Sequence, residues 1–326
     1  MQGALIGYLV TALTLAFFGA VLNVLLLAAL TVHQPLRETS GRALLIHCIL
    51  MDFYITTIGV PIVSITLFLG PTHILPRYFC KYQPIYIYMP AAVGVLASSL
   101  LAIHRLIATV WPQTFAAVSN SRVITALIVL PWIVAGSTTI FPTVLNIGPE
   151  FVPSNNMGGC EFARAPESAF DMVSAVLDFI VPTIVMGMCY GIVLVKTYRA
   201  VRINRGNRTR QRRFEISRTL FLSFLWHTVC IYPTLVVVTC FPETLVKNPY
   251  FYLAVSWLPN SFSFVNPIFF LASSRMFQDG IKEFLQCHWY RAAPVHPALD
   301  EAGDEMSMVG VGCSWKQIRR RSCPTP

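Results

Sequence analysis

The chain has 326 residues, of which 55% are hydrophobic and only 12% charged. A soluble domain carries about twice that charged fraction, so the composition argues against a water-soluble enzyme or binding module. The formal net charge of +9 is not matched by any basic stripe with interleaved aromatics in a soluble segment, so no nucleic-acid partner is expected.

Apolar stretches of membrane-spanning length are predicted at 4–31, 43–69, 80–110, 123–145, 170–196, 217–241 and 250–272. The first begins within four residues of Met1 and is long enough to span, so it reads as a retained helix rather than a cleaved leader. The second carries Asp52 in mid-span, and an ionisable group there is a functional candidate by default. The third opens at Cys80 and closes at Arg105, with no charge between Lys81 and Arg105. The fifth carries a second buried acid, Asp178, which helical spacing aligns with Ser174 and Pro182. Pro61, Pro90, Pro131, Pro182, Pro233 and Pro267 interrupt the spans, which membrane bundles tolerate because neighbours re-satisfy the freed carbonyls.

The expected fold is an all-α membrane protein, a seven-transmembrane helix bundle over residues 1–272. A short amphipathic interfacial helix follows at 273–290, where Met276, Phe277, Ile281, Phe284 and Leu285 share a face. Residues 291–326 read as a disordered cytoplasmic tail. Of the 24 Lys and Arg, all but Arg77, Lys81, Arg164 and Lys247 fall on one side. That bias places the N-terminus outside and the C-terminus in the cytoplasm.

Several local expectations follow from this topology. Cys80 and Cys160 are the only extracellular cysteines, so a disulfide between them is expected, with two free thiols as the alternative. The sequon at Asn207 falls on the cytoplasmic side and stays unglycosylated. The basic run Arg199–Arg213 reads as a loop that contacts anionic inner-leaflet lipid and a protein partner. Cys287 is a candidate for palmitoylation.

Taken in order, these features resemble the rhodopsin-like (class A) G-protein-coupled receptors from about residue 4 to 287. The resemblance rests on Asn23 after Gly19-Ala20-Val21-Leu22, on Asp52 after Ile49-Leu50-Met51, and on Cys80 leading to His104-Arg105-Leu106. It continues through Trp132, Pro182 with Tyr190, Cys230-Ile231-Tyr232-Pro233, Asn266-Pro267-Ile268-Phe269-Phe270 and Phe277.

The resemblance implies a plasma-membrane receptor, not an enzyme. An extracellular ligand would shift the bundle, helix six would swing outward, and a heterotrimeric G protein would engage Arg105, His104, Tyr190, Arg213 and Phe270. It also implies an interior polar cluster of Asn23, Asp52, Ser263 and Asn266 that could hold a sodium ion, although Gly94 and Phe262 replace two of the usual ligands. Pocket candidates are Ile87, Tyr88, Ala91, Ser174, Asp178, Thr234, Ser256 and Asn260, each with core packing as its plainer role.

The departures from the family are specific. His104 stands where the family has an acid, Leu106 replaces a tyrosine, and Arg213 replaces the helix-six acid, with Glu215 nearby as a substitute. Ile231 replaces a tryptophan, and Phe270 lacks the family's hydroxyl. Two readings follow, a receptor with a loosened resting state or a non-coupling decoy or scaffold. Ile87 disfavours a biogenic amine, and the absence of lysine from 250–272 disfavours covalent retinal. A small neutral molecule, lipid or peptide remains as ligand. A transporter or channel would show internal repeats or a chain of acids, and a membrane metallohydrolase would show clustered ligands such as HExxH; neither pattern is present in the sequence.

Overall fold

The computed structural model describes residues 2–39, 41–147, 151–154, 158–162, 173–203, 208–241, 244 and 248–292. The sequon at Asn207, the Cys287 side chain and the tail from 293 onward lie outside the described residues.

Helix one runs Gln2–Val32, helix two Arg42–Leu69, helix three Pro84–Val110, helix four Ser121–Leu145 and helix five Val173–Ile203. Helix six is Arg208–Cys240, helix seven Pro249–Ser273, and the amphipathic helix eight Arg275–Ala292. The first six are long and apolar enough to cross a membrane. Helix seven carries Asn260, Ser261, Ser263 and Asn266, which make it less apolar, but it packs against helices one and six within the bundle. Ser261, Ser263 and Asn266 are buried inside the bundle, so helix seven takes the seventh place in it despite its polarity.

The main core cluster lies toward the end of the bundle that carries Arg105, around Leu26, Leu30, Leu45, Ile49, Leu101, Tyr190, Leu220 and Phe270. Large side chains such as Phe17, Phe18, Ile133 and Met188 remain exposed on the outside of the bundle, where lipid rather than water is the expected solvent. Helix eight docks under helix one. A Cβ on Gly280 would meet the Cβ atoms of Ala29 at 3.0 Å and His33 at 3.1 Å, so the missing side chain allows the close approach. His33 Nδ1 lies 2.7 Å from Glu283 Oε2 across that seam. Met276, Phe277 and Ile281 are buried as the sequence predicts, Phe284 is half-buried, and Leu285 is exposed.

Two features depart from simple spans. Helices two, three and five each contain a π-helical turn, at Ile55–Gly59, Pro84–Tyr88 and Val176–Ile180. Such turns insert one extra residue into the register and occur frequently at functional sites. The basic run Arg199–Arg213, expected as a loop, is helical as far as Ile203 and again from Arg208. Helix six is 33 residues long, about 50 Å, and outruns a hydrocarbon core of about 30 Å. Arginine is a good helix former once outside the bilayer, and the Tyr198 and Phe214 rings meet at 6.0 Å between the two extensions.

Candidate functional site

On the N-terminal side of helix three, Cys80 is bonded to Cys160. This fixes the antiparallel hairpin Phe151–Pro153 with Cys160–Phe162 over the bundle. Gly158, at φ +81, comes so close to the end of helix two that a Cβ there would meet Gly70 Cα at 2.6 Å. Phe151 is buried and its ring lies 5.4 Å from that of Tyr88. The hairpin therefore closes directly over one of the pocket candidates.

The remaining candidates divide between two places. Ile87 is half-buried and its Cδ1 would lie 4.0 Å from a Cβ on Gly59 of helix two; Ala91 is also half-buried, one turn further along helix three. Thr234 bonds back to the Cys230 carbonyl at 3.2 Å and across to the Val255 carbonyl of helix seven at 3.4 Å. Asn260 donates to the Ser256 carbonyl at 2.9 Å and, with Tyr8, Ala12, Val60, Trp257 and Phe264, lines a cavity between helices one, two and seven. Tyr8 and Ser64, whose buried hydroxyls are polar neighbours of each other, carry no signal in the sequence. A tyrosine near the start of an apolar span carries no signal that it turns inward.

Asp178 sits inside the π turn of helix five and is 5% exposed. The turn packs against helices three and four. Its polar neighbour is Thr138 of helix four, while its Oδ1 has no hydrogen-bond partner. Ser174, one turn away, is half-buried, and Pro182 is buried.

The interior cluster is tightly interconnected. Asn266 of helix seven donates its Nδ2 to Asp52 Oδ2 and accepts from Ser223 Oγ of helix six at its Oδ1. Asn23 Nδ2 donates to the Ser263 carbonyl at 3.3 Å, which leaves Asn23 Oδ1 and Ser263 Oγ without partners. The oxygens left for a sodium ion are the Asp52 carboxylate, Asn23 Oδ1 and Ser263 Oγ. Both ends of the Asn266 amide are engaged, Gly94 lies against Met51, and Phe262 packs on His227 at 4.9 Å; neither of the latter two side chains can offer an oxygen.

At the C-terminal end of helix three, Arg105 is half-buried, and its Nε and Nη2 have no hydrogen-bond partner. Its ionisable neighbours are Tyr190 and Arg213. No carboxylate among the described residues pairs with it, and Glu215 does not take the role the sequence left open. Tyr190 donates its hydroxyl to the Ser98 carbonyl at 3.2 Å and packs against Phe224 of helix six. Phe270 is buried against Phe277 of helix eight at 5.1 Å. His104 is 1% exposed with neither ring nitrogen bonded. It stacks edge-on against Phe115 at 5.4 Å, and a Cβ on Gly41 would come within 2.9 Å of its Nδ1. It therefore acts as a packing residue between Gly41 and the short helix Pro112–Val118.

The other two buried histidines serve packing as well. His47 Nε2 accepts from Trp132 Nε1 at 3.0 Å, which requires a neutral ring. His227 stacks on Phe262.

The family model for the 7 transmembrane receptor (rhodopsin family) matches residues 22–270, and the chain belongs to that family. It is 20% identical to Protein trapped in endoderm-1 of Drosophila melanogaster, over 82% of this chain and 74% of that protein. It is 22% and 23% identical to the rhodopsins of Myripristis violacea and Oryzias latipes, over 84% of this chain and 79% and 78% of theirs. The chain is a receptor, not an enzyme.

Proposed function

We propose that this receptor sits in the plasma membrane with its N-terminus outside and activates a heterotrimeric G protein from its cytoplasmic face. The observation that carries the reading is the unpaired guanidinium of Arg105, set beside Tyr190 and Arg213. A half-buried arginine without an internal acceptor can bind incoming carbonyls or a carboxyl terminus. The basic ends of helices five and six border the same surface, with Phe270 and His104 buried beneath it. Anionic inner-leaflet lipid is the expected neighbour of the basic ends, and palmitate at Cys287 would anchor helix eight.

The ligand site lies under the hairpin, among Ile87, Tyr88, Ala91, Ser174, Asp178, Thr234, Ser256 and Asn260. Among its described candidates Asp178 alone is charged, which favours a small neutral molecule, a lipid or a peptide. The test is ligand-free G-protein dissociation across a panel of Gα subtypes, at matched surface expression, for the native chain and Arg105→Ala. A signal for one subtype that the substitution removes is expected. Equal output from both chains across the panel would leave the non-coupling decoy or scaffold in its place.

A second substitution probes the missing acid. His104→Asp places a carboxylate next to Arg105 and restores a resting-state partner, so ligand-free output should fall. Unchanged output at matched surface expression would mean that the missing acid does not set basal activity.

A further inference from the structure

Without an acid at position 104 or 213, helix six has no ion pair to helix three among the described residues. Arg213 is instead a like charge near Arg105, which disfavours rather than holds the approach of the two helices. Helix six is nonetheless tied at this end: Arg210 Nη1 donates to the Ala200 carbonyl of helix five at 3.5 Å on the exposed side, and two further bonds run to helix seven. Ser223 Oγ donates to Asn266 Oδ1 in the buried interior, and Arg218 Nη2 donates to the Ser273 carbonyl at 2.8 Å, where helix seven ends. Asn266 is in turn bonded to Asp52, so the inner tie extends through helix seven to helix two.

We infer that Ser223 and Arg218 are the positioning residues that hold helix six inward, so that the resting-state restraint of this receptor lies between helices six and seven. The inference rests on the coupling reading above. An outward swing of helix six would break both bonds at once. Ser223 and Asn266 are 9% and 8% exposed, so parting them leaves a buried amide oxygen without a donor, which carries a desolvation cost. Arg218 adds a charge-assisted bond to a terminal helix carbonyl, a group otherwise without an intrahelical donor. The departure at Arg213 and the presence of Ser223 then belong together: one restraint is absent and the other takes its place.

The experiment uses the purified full chain in lipid nanodiscs and measures amide hydrogen exchange over 208–222. It is run beside ligand-free Gα dissociation in cells. Ser223→Ala and Arg218→Ala should each raise deuterium uptake over that segment and raise basal dissociation about two- to tenfold. Adding Arg105→Ala should abolish the signalling gain while leaving the uptake gain. Ser217→Ala is the control, since that hydroxyl bonds only to the Arg213 carbonyl of its own helix, and it should change neither readout. Raised uptake without signal for any Gα would uphold the helix-six restraint and defeat the coupling reading. Native uptake in both Ser223→Ala and Arg218→Ala, or an equal rise in Ser217→Ala, would overturn the inference.

Discussion

Replacing Cys80 with serine is expected to produce one of the largest losses of stability available to a single substitution in this chain. The bond to Cys160 closes a sequence separation of 80 residues, and removing such a constraint costs about 4.5 kcal/mol by chain entropy. Part of that figure is lost because helices already in the membrane are not a free coil, so about 2–4 kcal/mol is the working expectation. The hairpin also loses its tether to helix three, and Phe151 loses its fixed position against Tyr88. Cys80→Ser, Cys160→Ser and the double variant should lower the thermal midpoint of the purified receptor by the same amount, because each removes one shared bond. Additive losses in the double variant would show that the two cysteines act independently.

Gly19→Ala should be nearly as damaging, for a different reason. A Cβ at Gly19 would lie 2.6 Å from Phe264 Cβ, 2.9 Å from Phe264 Cα and 2.9 Å from Thr56 Cγ2. Helices one, two and seven meet there on one missing side chain, as small residues permit in membrane bundles. The obstructing Cα belongs to backbone, so helix seven itself would have to move. Over-packing of this kind costs about 1–3 kcal/mol or more. The displacement falls within one turn of Asn266, so the Asp52–Asn266–Ser223 chain should loosen as well. Gly7→Ala is the matching control, since nothing lies within 4 Å of a Cβ there, and its thermal midpoint should stay level. Equal behaviour of the two variants would mean that helices one and seven are not in contact at Gly19.

The large-scale organisation was legible because it follows from solvent. Apolar runs of membrane length and a pair of cysteines at span ends are statements about lipid and redox, and the sequence carries them directly. The amphipathic helix was legible for the same reason, since Met276, Phe277 and Ile281 repeat at helical spacing. The family motifs placed Arg105, Tyr190, Asp52 and Asn266 before any geometry was known, and the bridge between Asp52 and Asn266 follows the grouping that they implied.

What could not be read was pairing across helices. The three π turns are one-residue slips in backbone register, and Ile55–Gly59 or Val176–Ile180 carries no side-chain pattern to announce them. Ser223 looks like any hydroxyl in an apolar helix until helix seven presents Asn266 to it. The wiring of the polar cluster is hidden in the same way, because sequence shows the residues and not that both ends of the Asn266 amide are occupied. His104 was visible as a departure, but its seat between Gly41 and Phe115 depends on two loops. The inner ends of helices five and six were read as a loop because charge marked the membrane edge, whereas helical order continues past it.

The most direct test of the central claim is nucleotide exchange on a purified Gα subunit by the full chain in lipid nanodiscs, with the subtype taken from the cell panel. Faster exchange than with empty nanodiscs, lost in Arg105→Ala, is the result expected of a receptor whose unpaired Arg105 receives the G protein. Exchange at the empty-nanodisc rate for every Gα subtype, with native chain and variant indistinguishable, would contradict it.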